Sequence, residues 1–276
     1  MNAFKIKCLI ASLFDLLGIN YFMLYRIGKR YKNNYIRVLN YHHSPLKYKN
    51  QFEKQVKWFS NHFELCGIDD LVQFFEGKKV FKSKPGMIIT FDDGYLDNYL
   101  VAYPFLKRLK IPAVYMVSSG LIGKIATRDG ITEEYMDANQ LKEIISCGSF
   151  IGCHTYSHHR MDKADSDYVL YHEIVESKEE LERIINHRVD IFCWCGGEEW
   201  TYTRKASEII RKSGYKLSFM TNSAPIIAGC DSFQIDRSNI EADWPMSLVR
   251  FQISGIIDEK LKKKRYRVHD MTKKGV

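Results

Sequence analysis

The spacing of apolar residues changes repeatedly along the chain, and each change marks an element. Residues 1–33 read as a helical arm, in which Leu9, Ile10, Leu13, Phe14, Leu16 and Leu17 share one broad face. The run 35–41 reads as a strand, and Pro45 closes the segment after it. Residues 51–77 return to helical spacing as two helices, with Phe52, Val56, Phe59 and Phe63 on one face. Short apolar runs at 87–91, 111–117, 150–153, 189–194, 217–221 and 233–235 have strand length. Helical patterns at 98–108, 139–146, 168–187, 203–213 and 247–257 separate them. Residues 121–136 read as an irregular insertion, a loop over one end of the fold.

Strand and helix patterns alternate through most of the chain, which predicts parallel strands joined by crossover helices in an α/β fold. A length of 276 residues suits one α/β barrel. The predicted organisation is an amphipathic arm at 1–34, a barrel at 35–258 and a basic tail at 259–276.

The net charge of +8 is concentrated at the two ends. Lys5, Lys7, Arg26, Lys29, Arg30 and Lys32 fall on the arm, and Lys260, Lys262, Lys263, Lys264, Arg265, Arg267, Lys273 and Lys274 on the tail. Such ends suit anionic lipid head groups, or a solvated basic surface. No nucleic-acid recognition motif accompanies them, so no nucleic acid is expected. The arm is apolar, but Asp15, Gly18 and Asn20 interrupt it, making a poor spanning helix. No small-x-small cleavage site follows it. It is expected to lie in a membrane surface or to pack on the barrel exterior. Seven cysteines without a framework spacing argue against a disulfide scaffold. Free thiols point to a reducing compartment, and hence to a cytoplasmic protein peripheral at the inner face of the membrane.

The candidate chemistry sits at predicted strand ends, where α/β barrels place their sites. Thr90-Phe91-Asp92-Asp93-Gly94-Tyr95 ends one apolar run with two adjacent carboxylates. His154-Thr155-Tyr156-Ser157-His158 follows another with two imidazoles four residues apart, on one helical turn or converging from a loop. Asp93, His154 and His158 make a three-ligand set for a divalent metal with a position left open. Asp92 then has no metal to bind and reads as general base toward water, provided a turn at Gly94 brings both carboxylates to the rim. The backbone N–H of Tyr95 is the expected oxyanion donor. An amide substrate needs a proton on its departing amine, and His42, at the end of the first barrel strand, is the expected acid. Strand alternation would turn His43 away. Trp194 is a candidate apolar surface for a sugar ring, and Cys193-x-Cys195 reads as structural.

These motifs resemble the polysaccharide deacetylase family, the NodB-homology domain of carbohydrate esterase family 4. Thr90-Phe91-Asp92-Asp93-Gly94 is similar to the family's pairing of base and metal ligand, and His154-Thr155-x-x-His158 to its second motif, with Thr155 bracing the loop. The resemblance implies a distorted (β/α)7 barrel and removal of an N-acetyl group from an amino sugar, with zinc or, failing that, cobalt, nickel or manganese. Tyr41-His42 resembles the rearranged branch that includes poly-N-acetylglucosamine deacetylases. The substrate is then expected to be an N-acetylated sugar in a glycan or lipid-linked precursor. Deformylation of a lipid-linked formamido sugar, and a catalytically weakened carbohydrate-binding homologue, are the alternatives. One departure stands out. The family's third motif carries an arginine that orients the base, whereas this chain reads Phe192-Cys193-Trp194-Cys195-Gly196-Gly197. Arg237, after Phe233-Gln234-Ile235-Asp236, is the expected replacement.

Overall fold

Seven parallel strands close on themselves: β1 (Ile36–Tyr41), β3 (Gly86–Phe91), β4 (Ala113–Val117), β7 (Phe150–Cys153), β8 (Ile191–Cys193), β9 (Leu217–Met220) and β10 (Ile235–Asn239). This computed structural model describes residues 3–128 and 130–275. The barrel order is β1-β10-β9-β8-β7-β4-β3, and β3 returns to β1 along its whole length, from Ile36 opposite Gly86 to Tyr41 opposite Phe91. A two-residue strand, β2 (Glu64–Leu65), pairs with the start of β3. Closure leaves no free edge among the long strands. The result is the parallel α/β arrangement expected from the alternating pattern, closed as the (β/α)7 barrel that the family resemblance implies.

Every second strand residue joins one apolar cluster: Ile36 and Val38, Ile88, Val114 and Met116, Ile191 and Cys193, Leu217 and Phe219, and Ile235. This is the barrel interior, filled by side chains of one parity. The intervening residues, including Leu39, Tyr41, Phe91, Tyr115, Phe192 and Met220, pack outward against the helices. Those helices are α3 (Lys49–His62), α5 (Tyr103–Arg108), α6 (Ala138–Ser146), α7 (Asp167–Tyr171), α8 (Ser177–Ile185), α9 (Arg204–Lys212), α10 (Met246–Ile253) and α11 (Ile256–Thr272), whereas α4 (Ile68–Phe75) adds Ile68, Leu71 and Phe74 to the interior cluster. The arm supplies α1 (Ala3–Leu16) and α2 (Ile19–Tyr31), which bend at Gly18, where φ is 70°.

Three expectations need correction. Residues 121–136 are not an irregular loop: they carry an antiparallel hairpin, β5 (Ile125–Arg128) and β6 (Ile131–Glu134), tied by a 2.8 Å contact between the Thr127 and Thr132 hydroxyls. Its β-branched residues supply the propensity. Residues 259–272 are not a tail. Up to Thr272 they belong to α11, whose Ile257, Leu261, Val268 and Met271 form a sparse helical stripe that meets the core. The helix is locked by Asp258, which accepts 3.1 and 2.8 Å bonds from the buried Arg37 of β1. Finally, the last strand covers Ile235–Asn239 rather than 233–235, which places Arg237 at its centre, on the interior parity.

Candidate functional site

Asp92 continues the interior parity of Ile88 and Thr90 beyond the end of β3, and its N–H donates to the Tyr41 carbonyl at 2.8 Å. Its carboxylate therefore points into the barrel mouth. Arg237 meets it there with two parallel bonds, 2.6 Å to Oδ1 and 2.8 Å to Oδ2. The same guanidinium is held by Thr90 Oγ1 at 3.0 Å, Asn40 Oδ1 at 3.2 Å and the Met220 carbonyl at 3.3 Å. Burial alone would push the Asp92 carboxyl up, but the charge and hydrogen bonds of Arg237, together with the nearby His154 and His42, outweigh it and hold the group below the usual carboxylate range. A bidentate, fully buried pair of this kind fixes the orientation of the carboxylate.

Strict alternation would send Asp93 outward. Instead Asp93 has a φ of 71° and Gly94 a φ of 79°, two consecutive left-handed residues that turn the chain back over the rim. Asp tolerates this region better than most residues, and such strain concentrates at functional sites. A Cβ at Gly94 would meet a Val117 methyl at 3.2 Å, so the turn is also sterically close. Both carboxylates thus reach the mouth, through two left-handed residues rather than through Gly94 alone.

His154 follows β7, and its N–H donates to the Val117 carbonyl at 2.9 Å. His158 arrives on a loop, not on a helical turn, with left-handed φ values of 62° at Thr155 and 61° at His158. Thr155 braces that loop by accepting the His159 N–H at 2.9 Å. Glu173 braces it further, accepting from the N–H groups of Tyr156 at 2.9 Å and Ser157 at 3.0 Å and from the Ser157 hydroxyl at 2.7 Å. Glu173 was not anticipated from the sequence. It lies on a five-residue π-turn, His172–Glu176, between α7 and α8.

The two imidazoles converge on one oxygen. Asp93 Oδ1 lies 2.9 Å from His158 Nε2 and 3.4 Å from His154 Nε2, and is buried without a well-aligned hydrogen bond. Ligands about 2.0–2.2 Å from one tetrahedral ion stand about 3.3–3.6 Å apart, so the His154 separation suits a shared ion, whereas the His158 one is a hydrogen-bond distance that would have to open slightly. His154 Nδ1 is 3.0 Å from the Cys193 carbonyl, an acceptor only, so Nδ1 carries a proton and Nε2, which faces Asp93, is the nitrogen left for an ion. Two other donor groups lie nearby, His154 with His158 and Cys195, and Asp92 with His154 and Cys193. They fit less well. Cys195 Sγ stands 3.6 Å from the protonated Nδ1 edge, and both Asp92 oxygens are taken by Arg237. Burial would raise the Asp93 carboxyl, yet its contacts with the two imidazoles hold it well below the usual range, as a metal-ligating carboxylate requires.

His42 shares the interior parity of Ile36, Val38 and Asn40, and lines the same cleft as Asp92 and Asp93. Its Nδ1 is 2.8 Å from Glu241 Oε1. Burial pushes this imidazole down, but Glu241 and the two aspartates outweigh it and raise its pKa to about 9. Its loop is pinned by Asn98, whose amide donates to the His42 carbonyl at 2.8 Å and accepts from Ser44 Oγ at 2.7 Å. Asn98 begins a second π-turn, Asn98–Ala102. Glu241 and Asn98, like Glu173, carry no motif that would have singled them out.

The cleft holds about 620 Å³. Tyr95 lines it, with His43 stacked on its ring at 3.9 Å. His43 therefore does not point away: the strand ends at Tyr41, so its alternation no longer governs residue 43. Trp194 does not reach the cleft. Cys193 takes the interior position, so Trp194 falls on the outward parity, 1% exposed, where its Nε1 donates to Ser218 Oγ at 2.9 Å and its ring packs on Phe192 and Tyr202. Cys193 Sγ lies 3.0 Å from Arg237, beside Asp92, and all seven cysteines are free.

Comparisons with known proteins agree with this geometry. A family model described as polysaccharide deacetylase matches residues 79–218. The protein YxkH of Bacillus subtilis is 30% identical over 176 residues, 63% of this chain and 58% of that protein. The poly-β-1,6-N-acetyl-D-glucosamine N-deacetylase of Staphylococcus aureus (strain MRSA252) is 25% identical over 240 residues, 82% of this chain and 79% of the relative. Among solved structures, IcaB from Ammonifex degensii superposes with a TM-score of 0.67 at 22% identity, covering 82% of this chain and 97% of that one, a likeness of fold. The matched segment runs from the approach to β3 through the His154–His158 loop to β9, and so contains both motifs around which the cleft is built: this chain belongs to the polysaccharide deacetylase family.

Proposed function

We propose that this protein is a metal-dependent amidohydrolase that removes the N-acetyl group from an amino sugar in a glycan. The observation that carries the reading is the meeting of Asp93, His154 and His158 at one point, beside an Asp92 held by Arg237. A divalent ion held by these three residues, zinc being the best match to an N2O donor set, would polarise the acetyl carbonyl and make water more acidic. Asp92 is aimed at the mouth in its ionised form and takes a proton from the attacking water. His42 stands on the same cleft, protonated, with Glu241 holding its Nδ1, and so offers Nε2–H to the departing amine. The Tyr95 N–H, just past the turn, is the oxyanion donor in this reading.

The missing arginine of the third motif had favoured a weakened homologue. Arg237 weighs against that alternative, since its guanidinium holds the base from a different strand. The test is mass spectrometry of N-acetylglucosamine oligomers after incubation with zinc-loaded protein. Loss of one acetyl mass per reacted residue, abolished in Asp92→Asn, is expected. Zinc-loaded protein that leaves these oligomers intact but removes a formyl group from a formamido sugar would overturn the acetyl assignment. Full zinc occupancy in an Asp93→Ala, His154→Ala double variant would overturn the ligand set.

A further inference from the structure

Helix α1 is apolar on two sides, and the barrel uses only one. Ala11 is fully buried, Phe14 meets the Phe251 ring edge-on at 5.6 Å, and Asp15 pairs with Arg250, so this side is committed to α10. The broad face expected from the sequence is therefore divided. Phe14 turns inward, while Ile6, Leu9, Ile10, Leu13 and Leu16 face out, between 41% and 83% exposed. Leu17, Tyr21, Phe22 and Tyr25 continue the outward stripe across the 75° bend into α2. A continuous apolar stripe of this length on a protein surface marks an interaction site.

Charge identifies the occupant. Asp15 is the only acid among residues 1–33, and it is taken by Arg250, whereas Lys5, Arg26, Lys29, Arg30 and Lys32 lie along the same two helices. A second copy of this chain would bring two basic faces together. An anionic bilayer satisfies both the apolar stripe and the bases. No single helix of the arm is long enough to cross it: α1 has 14 residues, about 21 Å of helix against a hydrocarbon core of about 30 Å; α1 and α2 together would have the length, but they bend by 75° and α10 holds one side of the arm. It lies flat.

The arm also adjoins the cleft through two of its lining residues. Lys7 donates to Gln252 Oε1 at 2.9 Å, and Leu261 packs in the cluster built on Ala11; Gln252 and Leu261 both line the cleft. We infer that the arm docks on an anionic membrane and presents the cleft to N-acetylated sugar head groups anchored there by an apolar tail. The second half of this inference rests on the deacetylase reading, and the first does not.

The test uses the full chain and its Leu9→Ser, Leu13→Ser, Leu16→Ser triple variant, with zinc content and thermal unfolding as folding checks. In flotation, the parent binds phosphatidylglycerol-containing vesicles and leaves pure phosphatidylcholine vesicles in high salt, and the variant loses about tenfold or more in affinity. Turnover of an N-acetylglucosaminyl lipid in those vesicles falls with binding, while turnover of a soluble oligomer is unchanged. Equal vesicle binding by parent and variant overturns the docking, as does a sedimentation profile in which the stripe holds a dimer. A vesicle-borne lipid that reacts no faster than the soluble oligomer overturns the presentation. Zinc-loaded parent that floats with vesicles but deacetylates neither substrate leaves docking standing and removes the deacetylase reading.

Discussion

Arg237 binds both oxygens of Asp92, and Glu241 binds Nδ1 of His42, so the proposed base and acid each have a charged partner setting their protonation. Asp92→Asn should keep zinc and lose about 10²-fold or more in kcat/KM, because the geometry survives and the proton acceptor does not. Equal rates in parent and variant would remove Asp92 from the base role. The partners predict opposite shifts in pH. Asp92 is depressed by Arg237, so Arg237→Gln should raise it and move the acidic limb of kcat/KM to higher pH. His42 is raised to about 9 by Glu241, so Glu241→Gln should lower it and move the alkaline limb to lower pH, with or without a nearby cation. Together the two changes narrow the profile from both sides. The stability signs follow. The Asp92 contribution is present above the unfolded carboxyl range and fades as pH falls. The His42 contribution is present below about 6.5 and is lost as pH rises through about 9.

Two π-turns, Asn98–Ala102 and His172–Glu176, interrupt helical segments that the sequence reads as continuous. Each adds a residue to a turn and redirects one polar side chain toward a site loop, Asn98 toward His42 and Glu173 toward the His154–His158 loop. Glu173 touches no candidate ligand, so it is a positioning residue. Glu173→Ala should leave the loop's N–H groups without their acceptor and weaken zinc binding by about 10–100-fold, read by competition with a chelating dye. Glu173→Gln, which keeps an acceptor oxygen, should recover part of that loss. Unchanged zinc affinity in Glu173→Ala would mean that Thr155 alone holds the loop.

On the scale of the molecule, the proposed ligands join two separate strand ends, Asp93 after β3 and the histidines after β7, with β4 between them. An ion bound there ties the folded barrel across its mouth and has no such site in the unfolded chain. Zinc should therefore raise the melting temperature, adding about 2.7 kcal/mol when its free concentration is a hundredfold above Kd. Chelation should reverse the shift, and Asp93→Ala should abolish it. A melting temperature that ignores zinc in the parent would argue against a preformed site.

The sequence by itself determined what depends on neighbours along the chain. The alternation of strand and helix, the positions of strand ends, the Asp92-Asp93 and His154–His158 spacings and the parity that carries His42 inward are all properties of short segments. Side-chain direction on a strand follows from counting, so those readings needed no tertiary knowledge. Counting fails where the backbone leaves the strand, at Asp93 and His43; at Trp194 it holds, and it is the interior place of Cys193 that turns the indole outward. Tertiary structure alone decided the partners. Arg237 is 145 residues from Asp92, and Glu241 is 199 from His42; they meet because closing the barrel sets β10 beside β1, and β1 beside β3. It also decided which half of the arm's apolar surface is buried. Periodicity announces an apolar face, but only the position of α10 selects the side that the barrel covers and the side that it leaves for something else.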